Sequence, residues 1–207
     1  MKLLKQLLAI ATLLISTQVF AEAQQGRDYT VMGSAVATHS GEKIEVLEFF
    51  FYGCSHCFHL HPHLMAWEKK APKDVALQLV PTIFRDSWEP MARTFFALEA
   101  LGQLQRLHDD LFKAWNVSNT DLSDEAKIGA WVAQRGVDRS KFAAAYNSFT
   151  MGSKVSRSNQ MVRDFGIRGT PTIVVDGKFV ITGLSPEVTI QVLNDVVARA
   201  RKERSKR

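Results

Sequence analysis

The stretch that decides the fold spans residues 49–58 and reads FFFYGCSHCF. Its apolar run is typical of a buried β-strand, and Gly53 ends that strand just before a Cys-x-x-Cys sequence, where a helix should begin. Cys54 and Cys57 are the two cysteines of the chain, so neither has a distant partner for a structural disulfide. A pair of thiols this close together indicates redox chemistry or a metal site.

The sequence around this stretch predicts a βαβ unit. Residues 44–51 and 75–80 are apolar runs that predict two strands of a central sheet. The segment between them predicts a helix that reaches Lys70 and contains Pro62, which removes a backbone donor. Residues 29–31 are expected to add a short first strand.

In residues 85–164 the strand pattern gives way to a helical pattern, which predicts a helical insertion. Apolar residues recur at helical spacing over residues 91–101, 104–115, 125–134 and 141–149. Ser123 and Asp138 are predicted N-caps, and Gly102 and Gly136 are predicted helix ends.

The strand pattern resumes after Gly169. Residues 172–175 and 178–182 predict a hairpin joined by an Asp176-Gly177 turn. Ser185-Pro186 then predicts the start of a last helix. The residues expected on its buried stripe are Val188, Val192, Leu193, Val196 and Val197.

The first 21 residues predict a signal peptide. Lys2 and Lys5 precede a short apolar run, and small residues follow that allow cleavage after Ala21 or Ala23. The apolar run is too short to span a bilayer comfortably. We therefore expect an exported chain whose cysteine pair works in an oxidising compartment.

The positive charge is concentrated at the C-terminus and does not predict a nucleic-acid surface. The formal net charge is +5, but residues 199–207 carry six Lys or Arg side chains and a single acid, Glu203. Residues 22–198 carry 18 basic and 20 acidic side chains. We interpret residues 199–207 as a frayed, solvated basic tail and expect no nucleic-acid partner.

The order of these elements resembles the thioredoxin fold with a helical insertion, as found in the DsbA family. The residues that carry the resemblance are VLEFF at 46–50, CSHC at 54–57, YNSF at 146–149, GTP at 169–171 and VVDGK at 174–178. It implies an α/β fold with a central mixed sheet and flanking helices. The thioredoxin-like domain would comprise residues 22–84 and 165–198, and the all-helical subdomain residues 85–164.

The resemblance implies a periplasmic thiol:disulfide oxidoreductase. Such a protein donates its Cys54–Cys57 disulfide to newly exported, unfolded polypeptides, and a DsbB-like membrane quinone reductase reoxidises it. Cys54 at a helix N-terminus should ionise readily, and Cys57 should be the resolving thiol. We expect a monomer that needs no cofactor beyond this disulfide.

Five further residues are candidate site residues. His56 matches the family's histidine and should favour the Cys54 thiolate, whereas Ser55 stands where the best-known members have proline. The family places a buried acid at Glu48, which would relay protons to Cys57. Sequence statistics favour a trans Thr170–Pro171 bond, but the family's proline is cis and lies beside the sulfurs. The Thr170 backbone would then pair with an extended substrate.

Two alternatives remain open from the sequence. The same residues would serve a thioredoxin-like reductase or isomerase. A Cys/His metal carrier is the second, because the cysteine pair is interleaved with histidines at 56, 59, 61 and 63. Phe58 excludes covalent haem, which needs a histidine at that position. We interpret His59, His61 and His63 as surface and groove residues.

Overall fold

A computed structural model describes residues 22–206 of the chain. The predicted signal peptide, residues 1–21, lies outside the described residues. Within residues 22–206, no helix combines the length and the apolar character that crossing a membrane requires.

One mixed sheet of five strands forms the centre of the described chain. The strands are β1 Thr30–Val31, β2 Ile44–Phe50, β3 Val75–Pro81, β4 Thr172–Val175 and β5 Phe179–Thr182. They lie in the order β1-β5-β4-β2-β3, with β2 parallel to β3 and the other neighbours antiparallel. Every residue of β2 is buried, because helices pack on both faces of this inner strand.

Seven helices surround the sheet in the described residues. They are α1 Ser55–Glu68, α2 Glu89–Ala100, α3 Leu104–Asn116, α4 Glu125–Ala133, α5 Arg139–Tyr146, α6 Phe149–Asp164 and α7 Pro186–Arg204. Helix α1 joins the parallel strands β2 and β3, which confirms the predicted βαβ unit. It ends at Glu68 and not at the expected Lys70.

Helices α2 to α6 follow one another without a strand, but the sequence patterns did not separate the last two. The prediction over residues 141–149 is wrong at its C-terminal end, because α5 stops at Tyr146 and α6 begins at Phe149. The buried stripe of α6 consists of Met151, Val155, Ser158 and Met161. Because the stripe contains a serine and two methionines, its hydrophobicity differs only weakly from that of the polar face of the helix.

Most of the predicted caps and turns are present. Asp138 and Ser185 cap α5 and α7 through their side chains, whereas α4 is capped by Asp124 and not by the predicted Ser123. Asp176 and Gly177 have φ values of 54° and 71° in the turn. Val175 pairs with Phe179, so the loop has three residues and β5 begins one residue after the predicted Lys178. The predicted β4–β5 hairpin is therefore confirmed.

The expectation of a frayed basic tail is wrong. Helix α7 continues to Arg204, and its last turns are tied to the rest of the domain by ion pairs. Arg201 Nε lies 2.6 Å from Asp74 Oδ2, and Arg204 contacts the carboxylate of Asp176. Val188 is also corrected: it is 39% exposed, because the buried stripe of α7 begins one residue later.

Helix α1 lies between two parts of the core. Cys57 packs with Phe50 and Tyr52 against the inserted helices. Leu60 and Leu64 pack on the opposite side, with β2, β4 and α7. Because both parts are buried, the orientation of α1 and of the cysteines at its start is fixed by apolar packing.

Candidate active site

Cys54 caps the N-terminus of α1. Its backbone is extended, and its Sγ accepts a hydrogen bond from the Cys57 N–H at 3.5 Å. Gly53 before it has no room for a side chain, since a Cβ there would lie 2.4 Å from the Phe51 ring and 2.8 Å from Trp115 Nε1. The tight turn therefore directs the Cys54 sulfur toward the free N–H groups of the helix.

Hydrogen bonds lower the pKa of the Cys54 thiol from an ordinary 9.0 to about 5. The largest contribution comes from the Cys57 side chain, and burial of the sulfur opposes it. The Thr170 side chain and the backbone N–H groups of Cys57 and His56 lower the pKa further. Cys54 is therefore mainly a thiolate at pH 7, the form that attacks and leaves disulfides.

Cys57 has the opposite environment. It is fully buried, and the two cysteines are not bonded, so the structure describes the dithiol state. Burial raises the pKa of Cys57 most, and the hydrogen bond to Cys54 and the charge of Glu48 raise it further. The two thiols thus differ sharply: one ionises readily at the surface, and the other holds its proton in the core.

Glu48 is a buried acid in the middle of β2. The carboxyl is almost inaccessible to solvent, and its Oε1 has no hydrogen-bond partner among the described residues. Burial, followed by the charge of Cys54, raises the pKa of Glu48 to about 8. A largely neutral carboxyl at pH 7, electrostatically coupled to both cysteines, is suited to holding a proton.

The Thr170–Pro171 segment lies beside the Cys54 sulfur. The Thr170–Pro171 bond is cis, which overturns the trans expectation from sequence statistics and agrees with the one from the resemblance. In the thiol form, the Cys54 Sγ donates to the Thr170 carbonyl oxygen at 3.3 Å. The fold thus brings together residues that are 116 positions apart in the sequence.

Ser55 and His56 are exposed in the first turn of α1. His56 acts on Cys54 through its backbone N–H, whereas the imidazole makes no hydrogen bond to the sulfur in this structure. A groove of about 790 Å³ runs beside it. The groove is lined by His56, His59, Leu60, His63, residues 169–171 and residues 182–187.

The remaining histidines of α1 do not share one environment. His59 is exposed and His63 lies near Glu187, but His61 is buried, so its interpretation as a surface or groove residue is wrong. Its position on α1 turns it away from the groove, toward α3. Among residues 22–206, no three His, Cys, Asp or Glu side chains are placed to hold a metal ion.

Three polar residues near the site were missed in the sequence. Tyr52 lies two positions before Cys54, and its hydroxyl lies 2.5 Å from Nδ1 of the buried His108. Asp109, the next residue of α3, lies 2.6 Å from Nε2 of His61. The only sequence signal was a His-Asp pair in an amphipathic helix, which does not indicate a partner on α1.

Comparison with known proteins then identifies the family. The profile of the DSBA-like thioredoxin domain matches residues 70–193. The chain belongs to this DsbA family. The thiol:disulfide interchange protein DsbA of Burkholderia cepacia is 36% identical over 180 residues, which cover 82% of this chain and 84% of the relative.

Solved structures of DsbA proteins agree with this assignment. The crystal structure of Pseudomonas aeruginosa DsbA is similar with a TM-score of 0.84 and 28% identity, covering 88% of this chain and 97% of that one. The oxidoreductase DsbA of Xylella fastidiosa gives a TM-score of 0.79 and 31% identity, covering 84% and 96%. The chain is therefore a thiol:disulfide oxidoreductase with the DsbA fold, as the sequence predicted.

Proposed function

We propose that this protein is a disulfide donor, whose oxidised Cys54–Cys57 pair oxidises cysteines of newly exported, unfolded polypeptides. The observation that carries the proposal is the opposite effect of the fold on the two thiols. Cys54 is held as a thiolate and Cys57 as a thiol, an arrangement that stabilises the reduced protein. A pair that is stable when reduced is a strong oxidant when it is a disulfide.

The exchange proceeds through a mixed disulfide. A substrate thiolate attacks Cys54 Sγ, the Cys54–Cys57 bond breaks, and its electron pair passes to Cys57, which takes up a proton. A second substrate thiolate then attacks the substrate sulfur of the mixed disulfide, and Cys54 leaves as a thiolate. The substrate gains one disulfide, and the protein gains two electrons.

The acidity of Cys54 favours this direction. A pKa of about 5 instead of 9.0 stabilises the thiolate at pH 7 by at most about 3 kcal/mol. Because the sulfur is only half-buried and water screens part of this effect, we expect about 1–2 kcal/mol. For a two-electron couple this corresponds to roughly 20–40 mV toward oxidation from Cys54 ionisation alone.

Several parts of the proposal rest on the resemblance and the family. The backbone of Thr170 would pair with an extended substrate, and Pro171 and Ser55 would border it. We propose that no other cofactor is needed, that the predicted leader directs the chain to the periplasm, and that a DsbB-like membrane quinone reductase restores the disulfide.

The experiment is oxidation of a reduced, unfolded protein with several cysteines by the oxidised chain. We expect one substrate disulfide for each Cys54–Cys57 pair that becomes reduced. A Cys57→Ala variant, activated as a mixed disulfide with a small thiol at Cys54, should be transferred to the substrate and remain bonded to it. If the dithiol form instead reduces substrate disulfides more readily than the disulfide form oxidises substrate thiols, the result would support a reductase.

A further inference from the structure

A group of polar side chains lies buried between the end of β2, α1 and α3. Tyr52, His61 and His108 are each almost inaccessible to solvent, whereas the side chain of Asp109 is 65% exposed. Buried polar groups of this kind are costly unless they are paired or used. The exchange chemistry described above does not use any of the four.

The contacts place these groups in a row. The Tyr52 hydroxyl lies 2.5 Å from His108 Nδ1, and His61 Nε2 lies 2.6 Å from Asp109 Oδ1. Between them, the His61 and His108 rings are nearly perpendicular, with centroids 4.6 Å apart. The row therefore runs from the phenol beside the active-site turn to a carboxylate in water.

The protonation states of the two imidazoles are complementary. Burial lowers the pKa of His61 against the opposing effects of Asp109 and Glu68, and burial also lowers that of His108. Each neutral ring therefore carries one N–H and one bare nitrogen. If His61 donates through Nε2 to the Asp109 carboxylate, its Nδ1 is an acceptor. If His108 Nδ1 accepts from Tyr52, its Nε2 is a donor.

The inner nitrogens are the ones without partners. His61 Nδ1 and His108 Nε2 have no hydrogen-bond partner among the described residues and are not bonded to each other, although their rings are adjacent; in the tautomers given above they are an acceptor and a donor. A third unpartnered buried atom is Glu48 Oε1. All three atoms are buried and are free to accept or donate a further hydrogen bond.

Glu48 lies on β2, four residues before Tyr52 in the sequence. It occupies the same face of β2 as Phe50, whose ring packs edge-on against Tyr52 and His108 at 5.2 Å and 5.5 Å. Burial raises the pKa of Tyr52, and the charge of Glu48 raises it further, so the two groups interact electrostatically within the core.

We infer that Tyr52, His108 and His61 form a proton path between the buried Glu48 carboxyl and the exposed Asp109 carboxylate. When the dithiol is oxidised, the neutral Glu48 carboxyl gives its own proton to the Tyr52 oxygen and takes up the Cys57 proton in its place. The hydroxyl proton moves to His108 Nδ1, the proton on His108 Nε2 moves to His61, and the proton on His61 Nε2 moves to Asp109 and water. Donation of the disulfide reverses each transfer. The path serves the proposed function and depends on it.

A proton path has a signature that a structural role does not share. It changes how fast Cys57 and Glu48 exchange protons with water, but it does not change the free energies of the oxidised and reduced states. Its loss must therefore slow oxidation and reduction by the same factor and leave the reduction potential unchanged. A role in packing or electrostatics would shift the potential, because the two redox states differ in charge at the site.

The experiment compares Tyr52→Phe and His61→Gln with wild type, using the oxidised and reduced full-length chain and a small dithiol and its disulfide as reactants. Tyr29→Phe and His39→Gln are matched controls, since the Tyr29 hydroxyl accepts a hydrogen bond from Arg199 on α7 and His39 lies in the loop before β2. Stopped-flow rates in both directions and the equilibrium constant are measured in H₂O and D₂O. We expect both path variants to be slower by roughly tenfold in each direction, below the ~10²-fold typical of a positioned acid or base, with wild-type potentials.

The wild type provides a test that needs no variant. Its exchange rate should fall in D₂O, because proton transfer along the path limits the rate. Wild-type rates in the variants, or slow exchange accompanied by a shifted potential, would overturn the proton path. Failure of the wild type itself to exchange with the dithiol would instead refute the proposed function.

Discussion

Lowering the pH should remove the extra stability that the Cys54 thiolate gives to the reduced protein. The folded-state pKa of about 5 lies below the ordinary value of 9.0, so the stabilisation is complete above pH 9. It declines as the pH falls and is lost below about pH 5. The oxidised protein has no thiolate and lacks this dependence.

The magnitude follows from the pKa. Between pH 7 and pH 4 the reduced form should lose at most about 3 kcal/mol, and about 1–2 kcal/mol after allowance for solvent screening of a half-buried sulfur. For a chain of this size, each kcal/mol shifts Tm by about 2–4 °C. We therefore expect the Tm of the reduced protein to fall by about 2–8 °C relative to that of the oxidised protein.

Calorimetry of both redox forms at pH 7 and pH 4 measures this difference. The effect of the disulfide on the unfolded chain does not titrate, and burial of Glu48, the main cause of its raised pKa, is common to both forms. Subtracting the two Tm values at each pH therefore isolates Cys54. A difference that stays constant between pH 7 and pH 4 would refute the reasoning.

Three further predictions concern single residues. Iodoacetamide at pH 6 should label Cys54 and spare Cys57 in the folded dithiol, and equal labelling by mass spectrometry would contradict the assignment of the two pKa values. Relative to wild type, Glu48→Gln should gain up to about 4 kcal/mol of stability between pH 4 and pH 8, because the wild-type carboxyl, with a folded pKa of about 8 against an ordinary 4.5, loses stability over that interval; parallel pH profiles in urea denaturation would argue against a buried neutral acid. Gly53→Ala should cost about 1–3 kcal/mol, since its Cβ would overlap the Phe51 ring; an unchanged urea midpoint would show that the ring moves freely.

The parts of the fold that were predictable are those that short, local sequence patterns determine. The apolar run before Gly53 predicted β2, and the Asp176-Gly177 pair predicted the hairpin, because each pattern is satisfied by near neighbours in the sequence. The end of α7 was not predictable in this way. Its arginines are ordered by Asp74 and Asp176, which are remote in the sequence.

The candidate site likewise has features that local sequence predicts and features that depend on distant contacts. The position of Cys54 at the start of α1 follows from the local sequence, and the cis state of the Thr170–Pro171 bond was expected only from the resemblance. The burial of His61 depends on α3 packing against α1, a contact that no helical periodicity encodes. For the same reason, no sequence pattern indicated that Tyr52 meets a histidine on a distant helix.

The redox equilibrium of the Cys54–Cys57 pair with glutathione at pH 7 tests most directly whether an acidic Cys54 makes this protein a disulfide donor. We expect a potential well above the value of about −270 mV that is typical of thioredoxin, so that the dithiol persists in mildly oxidising glutathione mixtures. The potential should also approach that of an ordinary dithiol as the pH falls through the Cys54 pKa of about 5. A potential near −270 mV at pH 7 would contradict the donor function and assign the protein to the reductases.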